Sequence, residues 1–249
     1  MENINSLSKE DRYDLITGKI LSMIYEGHMK NGDKMFSENQ MSKRLGVSRA
    51  HIREVYSALG ILGILESRRG EGTFFKTTNN AVLFKVIMLM LYNVSVTTDN
   101  IMELRKILEV GIAEKAATSR TEKDIKDLRR CIEAMEKCDD GSILSELDNE
   151  LHSIIGHSCG NYLLMSLSNI VSGLVIKSIQ EHWNYIITDK SRATKKKTFE
   201  QHKELVESII NKKPYIAKVI AQEHLEFVEE SLDRYKRELR KKADGTENR

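Results

Sequence analysis

A change of pattern near residue 80 limits the possible folds of this chain more than any other feature. Before it, helical stretches alternate with short β-prone segments and glycine turns; after Thr77-Thr78-Asn79-Asn80, every long segment repeats its apolar residues at helical spacing. The chain has 14 glycines but one proline, which argues against a turn-rich β protein. We therefore predict a mainly α chain, with an N-terminal domain over 1–78, an all-α domain over 79–240 and a frayed tail over 241–249.

Cap residues define the helices of the N-terminal domain. Apolar residues at helical spacing predict a first helix over 11–27. Ser37 and Gln40 have the spacing of a capping box, so we expect a second helix to begin there and to end at Gly46. Ser48 is suited to cap a third helix. Two helices joined by a short glycine turn are typical of a helix-turn-helix.

The segment after the third helix predicts a wing. β-prone residues at 64–67 and 73–75 flank a glycine-rich turn, which indicates a β-hairpin. In the third helix, Arg49 and Arg53 project from one face because they are four residues apart. Arginine can donate two hydrogen bonds to guanine in the major groove, although a solvated helix face is the alternative for two arginines alone. The pattern indicates a winged helix-turn-helix that can bind DNA.

Helical periodicity continues through the second domain and predicts a helical bundle. The predicted helices cover 81–93, 99–120, 122–138, 143–157, 161–188, 198–211 and 214–240. Thr121 and Asp124 have capping-box spacing, Asp140-Gly141 indicates a turn, and Pro214 suits the first turn of the last helix. Lys195-Lys196-Lys197 is expected to be a solvated loop between two helices.

Four polar residues of the bundle form a candidate metal site. Asp148 and His152 are four residues apart, so their side chains meet on one helix face, while His202 and His224 come from separate elements. One carboxylate and three imidazoles are a suitable ligand set for a borderline divalent ion such as zinc, nickel, manganese or iron. Spacing alone leaves an alternative to a metal site, in which these histidines lie at the surface or form ordinary hydrogen bonds. With seven histidines in the chain, some fall at ligand-like spacing by chance.

Three motifs of the first domain resemble the GntR family of regulators. Residues 46–55 resemble its V-S-R-x-x-[VI]-R-E core, 32–38 its G-[ED]-x-L-x-S-E segment and 69–75 its R-G-x-G-[TS]-[FY]-V wing. The resemblance implies sequence-specific binding of double-stranded DNA, with contacts from Ser37, Asn39, Ser48, Arg49, Ala50, Arg53, Arg69 and Gly70. Asn39 departs from the family pattern, in which many members have arginine, so operator sequences do not transfer.

The second domain resembles the FCD effector domain of FadR-type GntR regulators. Its signature is found in Asp148-x3-His152, in the His202 and His224 segments, and in an opening helix that contains Leu104-Arg105-x2-Leu108-Glu109. The resemblance implies that Asp148, His152, His202 and His224 hold a divalent ion, zinc in the first place, with positions left open for an effector carboxylate. Arg105 and Asn161 are the residues expected to bind the effector.

These features together predict a transcription regulator. A C2 homodimer would present two third helices to a pseudo-palindromic operator, and a small, carboxylated metabolite at the metal pocket would control its affinity for DNA. Two alternatives are open: the same DNA-binding dimer with a metal-free effector pocket, and a metal-dependent hydrolase on the helical bundle.

Composition excludes other classes of protein. Cys131, Cys138 and Cys159 form no C-x-x-C pair and follow no signal-like segment, which predicts reduced thiols in the cytoplasm. The most apolar run, 82–91, is much shorter than the ~20 residues of a membrane span, so no membrane association is expected. No nucleophile, P-loop or dinucleotide motif occurs, so we predict no catalytic residues and no enzymatic activity.

Overall fold

The structure, a computed structural model, describes residues 8–26, 29–76, 80–91, 96–188 and 193–243. Its elements are α1 (Lys9–Tyr25), α2 (Glu38–Leu45), α3 (Arg49–Ile61), β1 (Leu65–Arg68), β2 (Gly72–Phe75), α4 (Asn80–Leu91), α5 (Thr98–Ser119), α6 (Glu122–Glu136), α7 (Gly141–Ser158), α8 (Tyr162–Thr188), α9 (Ala193–Ile210) and α10 (Pro214–Ala243). The predicted fold class, a winged helix-turn-helix followed by an all-helical domain, is confirmed. The chain divides into two compact units, Met1–Asn93 and Val94–Arg249, whereas the sequence prediction ends the first domain at residue 78.

Local cap chemistry sets the helix ends of the first unit. The Ser37 side chain accepts a hydrogen bond from the Gln40 N–H, and the Gln40 side chain bonds back to Ser37, so the predicted capping box is present. Gly46 ends α2 in the left-handed region (φ 68°), a conformation that glycine adopts without steric cost. The Ser48 side chain caps α3. These local contacts place α3 directly after a tight turn, as the helix-turn-helix requires.

An apolar core joins the helices of the first unit to the hairpin. Its largest fully buried side chains are Ile16 and Ile20 of α1, Met41 of α2 and Ile52 of α3. Burial of each such side chain stabilises the fold by about 1.5–3 kcal/mol. Because the core takes up one side of α3, the opposite side is left at the surface.

The hairpin pairs β1 with β2 in antiparallel register, with Leu65 opposite Phe75 and Arg68 opposite Gly72. The segment before α2 extends this sheet, because the Met35 N–H donates to the Thr73 carbonyl at 2.8 Å. Strand β2 is thereby paired on both sides, with β1 and with the segment before α2.

The second unit is a helical bundle around an apolar core. The core includes Ile112 of α5, Leu128 of α6, Leu144 and Leu151 of α7 and Ile209 of α9, all 2% exposed or less. The Thr121 side chain caps α6 through the predicted capping box, and Pro214 begins α10, where its missing N–H costs nothing.

The last three helices alternate in direction. His202 packs on His224 with ring centroids 4.2 Å apart, and Lys197 lies 4.3 Å above the Phe227 ring, so α9 and α10 are antiparallel. Near the end of α8, Trp183 stacks on His202 of α9, which starts five residues after α8 ends. The α8 and α10 helices therefore run in the same direction.

The prediction for the start of α9 was wrong. The helix begins at Ala193 rather than at residue 198, so Lys195-Lys196-Lys197 lies on it instead of in a loop. Three lysines in the first turns interact unfavourably with the positive end of the helix dipole, so the sequence gives no signal that a helix starts there. A tertiary contact stabilises this start, because the Lys195 ammonium donates to the Cys138 carbonyl and pairs with Asp139.

Asp140 does not form a free turn with Gly141, as predicted, but caps α7. Its carboxylate accepts the N–H groups of Ser142 and Ile143. A Cβ at Gly141 would lie 3.2 Å from the Cα of Asn184, so the missing side chain lets α8 approach the start of α7. Helix α7 consequently begins two residues earlier than expected.

Two predicted segments lie partly outside the described residues. Residues 77–79 of the predicted linker are among these, while Asn80 already belongs to α4. The predicted frayed tail starts at residue 241, but α10 continues to Ala243 and only residues 244–249 lie outside.

Among the helices that the structure describes, α8 is long and apolar enough to cross a membrane, which the sequence reading did not single out. Its Val175, Ile179, Trp183 and Ile186 belong to the apolar core of the bundle. A helix that packs one face into the core of a bundle can be as long and as apolar as a membrane span. Length and composition alone are therefore weak evidence that α8 crosses a membrane.

Candidate metal centre and nucleic-acid interface

Three helices bring the four predicted metal ligands together in the interior of the bundle. Asp148 and His152 lie on one face of α7, His202 comes from α9 and His224 from α10. Asp148 Oδ1 lies 3.2 Å from His202 Nε2 and 4.0 Å from His152 Nε2. All four residues are at most 8% exposed. Side chains that are far apart in the chain therefore form one buried polar cluster.

The free ring nitrogens of this cluster fit a metal ion. Buried polar atoms are normally hydrogen-bonded, yet His152 Nε2, His202 Nδ1 and His224 Nδ1 have no hydrogen-bond partner, and His202 Nε2 contacts only the Asp148 carboxylate. One nitrogen from each of the three histidines lies within 4.8 Å of the others. Two nitrogens on one tetrahedral zinc ion are about 3.3 Å apart, so an ion would draw these rings together by no more than about 1–2 Å.

Glu109, which sequence reasoning did not assign to the site, orients His152. Its Oε2 lies 2.8 Å from His152 Nδ1, and its Oε1 accepts a hydrogen bond from Arg105 Nε at 2.7 Å. A carboxylate at Nδ1 keeps the proton on that nitrogen and leaves Nε2 free to bind a metal. The i,i+4 spacing of Arg105 and Glu109 could have indicated the ion pair, but no sequence signal joins α5 to α7.

The charges around the cluster set the protonation of its members. Burial works to raise the pKa of Asp148, but His202 and His152 outweigh it and hold that pKa well below its ordinary value. Burial lowers the pKa of His202 against the attraction of Asp148, and burial lowers the pKa of His224 further still. At neutral pH the Asp148 carboxylate is therefore ionised and the imidazoles of His202 and His224 are neutral, which are the states that bind a metal.

The Glu109 and His152 side chains stabilise each other's charged form. Burial works to raise the pKa of Glu109, but Arg105 and His152 outweigh it and lower the pKa to about 2. Burial works to lower the pKa of His152, but Glu109 outweighs it and raises that pKa. Glu109 therefore remains ionised between its two buried partners.

The two residues predicted to bind the effector lie in different environments. Arg105 is 3% exposed and sits beside the metal cluster, where it is already paired with Glu109. Asn161 is exposed, and its side-chain oxygen accepts the N–H groups of Leu163 and Leu164 at the start of α8. Asn161 thus has a local role as a helix cap, and its contact with an effector stays a prediction.

A small cavity of about 10 Å³, which is room for about one water molecule, adjoins the cluster. Glu109, His152 and His224 form its polar side together with Ser168 of α8. The rest of its lining is apolar: Ile112, Ala113, Ile155, Leu205, Ala221 and Leu225.

The predicted DNA-contacting residues of α3 lie on its outer side. Ser48, Arg49, Ala50 and Arg53 are all exposed, while the opposite side of the helix is buried in the core. His51 is held in place, because its Nδ1 lies 3.0 Å from the Ser48 hydroxyl. The start of α3 therefore presents two arginines in a form that can enter a major groove.

Glu38 holds Arg53 in the free protein, a contact that sequence reasoning missed. Arg53 Nε and Nη2 donate to the Glu38 carboxylate at 3.0–3.2 Å, and the Arg53 side chain is 64% exposed. An exposed ion pair of this kind contributes about 0–1 kcal/mol, so a base or phosphate can replace Glu38 at low cost.

The wing carries the other predicted contacts. Arg69 and Gly70 are exposed in the turn between β1 and β2, and Gly70 has φ 80° with open space where a Cβ would be. Arg68 is fixed beside them, because it lies 4.4 Å above the Phe74 ring and pairs with Glu66. Asn39, on the exposed side of α2, and Ser37 complete the predicted set.

Comparison with known proteins supports both halves of this description. The family model "Bacterial regulatory proteins, gntR family" matches residues 12–75, and the "FCD domain" model matches residues 100–227. The chain is 29% identical to the HTH-type transcriptional regulator LutR of Bacillus subtilis over 214 residues, which are 86% of this chain and 97% of that protein. It is 24% identical to the Glc operon transcriptional activator of Escherichia coli, with 88% of each chain covered.

A solved structure has the same fold. The GntR protein of Streptococcus agalactiae superposes with a TM-score of 0.63 at 26% identity, over 88% of this chain and 99% of that one.

Proposed function

The chain belongs to the GntR family of bacterial regulatory proteins and carries an FCD domain, and from that premise we propose that a small carboxylated metabolite, bound at a metal-containing pocket of the bundle, controls its affinity for an operator. The chain is a DNA-binding transcription regulator, and its family and relatives are regulators rather than enzymes. These relatives argue against the alternative of a metal-dependent hydrolase.

The unpartnered ring nitrogens of His152, His202 and His224 carry the metal part of the proposal. FCD domains commonly bind a metal ion, and a lone buried imidazole without a hydrogen bond is costly. A divalent ion held by these histidines and Asp148 would supply a Lewis-acidic charge with open positions for a carboxylate. Zinc suits this donor set best, with nickel, manganese and iron as alternatives.

Arg105 is the residue that we expect to respond to the effector. It is a buried cation beside the cluster whose Nε is engaged by Glu109. Arginine binds carboxylates through two parallel hydrogen bonds, so an anionic effector would compete with Glu109 for the guanidinium. Such a change of partner in α5 gives the effector a way to alter the packing of the bundle.

We propose that a cytoplasmic homodimer places two α3 helices on the half-sites of a pseudo-palindromic operator. Arg49 and Arg53 would contact bases, and the wing residues Arg69 and Gly70 would approach the minor groove. Arg53 would leave Glu38 on binding the operator.

Metal content tests the proposal first. Mass spectrometry on protein purified without chelators should give about one ion per chain, and the double variant His202→Ala with His224→Ala should lose it. The variant His157→Ala is the matched control, because His157 is exposed and lies outside the cluster. No ion in the unchanged protein, even after divalent metals are offered, would favour the alternative of a metal-free effector pocket.

DNA binding and effector response test the rest. Selection from randomised duplexes should yield a two-fold symmetric site, and small carboxylates should change the affinity for it in metal-loaded protein but not in the double variant. Absence of any selected sequence would overturn the regulator mechanism, and an equal response without metal would overturn the metal pocket alone. Sedimentation would show whether the chain is dimeric.

A further inference from the structure

A cavity of about 510 Å³ opens where α6 and α8 end and where α7 and α9 begin. Its walls include Met135 of α6, Leu144 of α7, Trp183 of α8, and Ala193, Lys196 and Phe199 of α9. Among the described residues, none lines both this cavity and the small one beside the metal cluster. Ligand pockets typically measure about 300–1,000 Å³. This space, which we term the Trp183 cavity, therefore has room for a small organic molecule.

The walls of the Trp183 cavity are apolar and partly aromatic. Met135, Leu144 and Trp183 are at most 2% exposed, so the core of the bundle holds them in place. The Trp183 ring stacks on His202, with centroids 6.4 Å apart and an angle of 22° between the ring planes. Phe199 is partly buried and adds a second aromatic ring. Because aromatic side chains pack well against other rings, these walls suit an aromatic ligand.

The first turns of α9 bring positive charge to the Trp183 cavity. Lys196 is exposed, and its Nζ lies 3.7 Å from Glu200 Oε1, one helical turn further along. Exposed pairs of this kind contribute little to stability, so an anionic ligand can replace Glu200 at low cost. Lys195 is held more firmly, by the Cys138 carbonyl and Asp139.

The balance of charge around the cavity limits the charge of its ligand. The described lining holds the two ammonium groups of Lys195 and Lys196 against one carboxylate, that of Glu136. Lys196 can pair with one anionic group, while Glu136 disfavours a ligand with several negative charges. The lining therefore suits a molecule with a single negative charge.

We propose that the Trp183 cavity is a second ligand site of the bundle, which binds an aromatic monoanion without need of a metal. The rings of the ligand would pack on Trp183 and Phe199, and its anionic group would lie at Lys196. This inference goes beyond the proposed function, because it uses none of the metal ligands and no residue of the cavity beside them.

Fluorescence titration of the full-length protein tests this site. The probes are 1-anilinonaphthalene-8-sulfonate, an aromatic monoanion, and N-phenyl-1-naphthylamine, which is the same molecule without the sulfonate. Trp183 is the only tryptophan of the chain, so energy transfer to a probe in the cavity quenches the tryptophan emission. We expect quenching that saturates at about one sulfonate probe per chain.

Two variants and a matched control locate the probe. Ala193→Phe adds a ring at an exposed position of the lining and should abolish quenching by both probes. Lys196→Gln should weaken the sulfonate probe about two- to fivefold, as expected for loss of an exposed ion pair, and leave the neutral probe unchanged. Lys203→Gln changes an exposed lysine of α9 outside the lining and should affect neither probe.

Thermal unfolding would show that each variant is folded. If Ala193→Phe is not, Phe199→Ala takes its place and should weaken both probes, because it removes one ring of the lining. Quenching by both probes that the folded variant leaves unchanged, or the absence of quenching in the unchanged protein, would overturn the Trp183 cavity as a ligand site.

Removal of the metal distinguishes this inference from the proposed function. Protein treated with a chelator should bind the sulfonate probe as tightly as metal-loaded protein does. Binding that disappears with the metal would assign the probe to the metal centre and overturn the second site. Equal weakening of both probes by Lys196→Gln would overturn the selection of an anion. None of these outcomes changes the metal content, which decides the proposed function separately.

Discussion

Replacement of Glu109 by glutamine should weaken metal binding although Glu109 is not itself a ligand. Its Oε2 lies 2.8 Å from His152 Nδ1 in a fully buried setting. A glutamine can turn its NH₂ group towards Nδ1, because its oxygen is held by Arg105. His152 would then carry its proton on Nε2, the nitrogen that the metal needs.

The size of the effect follows from the burial of this contact. Loss of an outer carboxylate from a metal-bound histidine typically costs 10- to 100-fold in metal affinity, or about 1.4–2.7 kcal/mol. Glu109 and His152 are both at most 8% exposed, so water cannot replace the lost partner. We therefore expect a loss near the upper end of that range.

Competition against a chromogenic zinc chelator at pH 7 would measure the change. Glu114→Gln is the matched control, because Glu114 lies on the same helix but pairs with Lys218 at the surface, where both side chains are more than 40% exposed. Thermal unfolding in excess chelator would establish that each metal-free variant is folded. Equal zinc affinities for a folded Glu109→Gln variant and the unchanged protein would show that Glu109 does not orient His152.

Three further predictions concern the DNA-binding unit and the thiols. Arg53→Lys should reduce discrimination among operator variants by about 1–3 kcal/mol, since lysine lacks the fork that reads guanine; undiminished discrimination in a shift assay would remove Arg53 from base recognition. Ser37→Ala should lower the free energy of unfolding by about 1 kcal/mol through loss of the capping box, and denaturant unfolding that is unchanged would contradict this. Cys138, which is partly exposed, should react with a thiol reagent before Cys131, because burial raises the pKa of Cys131 to about 12; mass mapping of the first label would settle the order.

Local chemistry explains why the helix-turn-helix could be predicted from the sequence. Ser37, Gly46 and Ser48 act within a few residues of their own positions, and the structure has all three as caps. The start of α9 could not be found in the same way. It depends on Lys195 reaching the Cys138 carbonyl, a contact between residues that are far apart in the chain.

The candidate site was predictable only in its most regular part. The i,i+4 spacing of Asp148 and His152 is visible in the sequence, and the family resemblance suggested His202 and His224. The role of Glu109 depends on how α5 packs against α7. No spacing rule reports such packing, so this residue required coordinates.

The distribution of the metal ligands along the chain has a consequence for the lifetime of the protein in the cell. The ligands come from α7, α9 and α10, so an ion at the cluster would tie together segments that are otherwise joined only by noncovalent packing. Binding to the folded state alone lowers the fraction of chains that open, and open chains are the ones that proteases degrade. Metal starvation would therefore reduce the abundance of this regulator as well as its response to the effector.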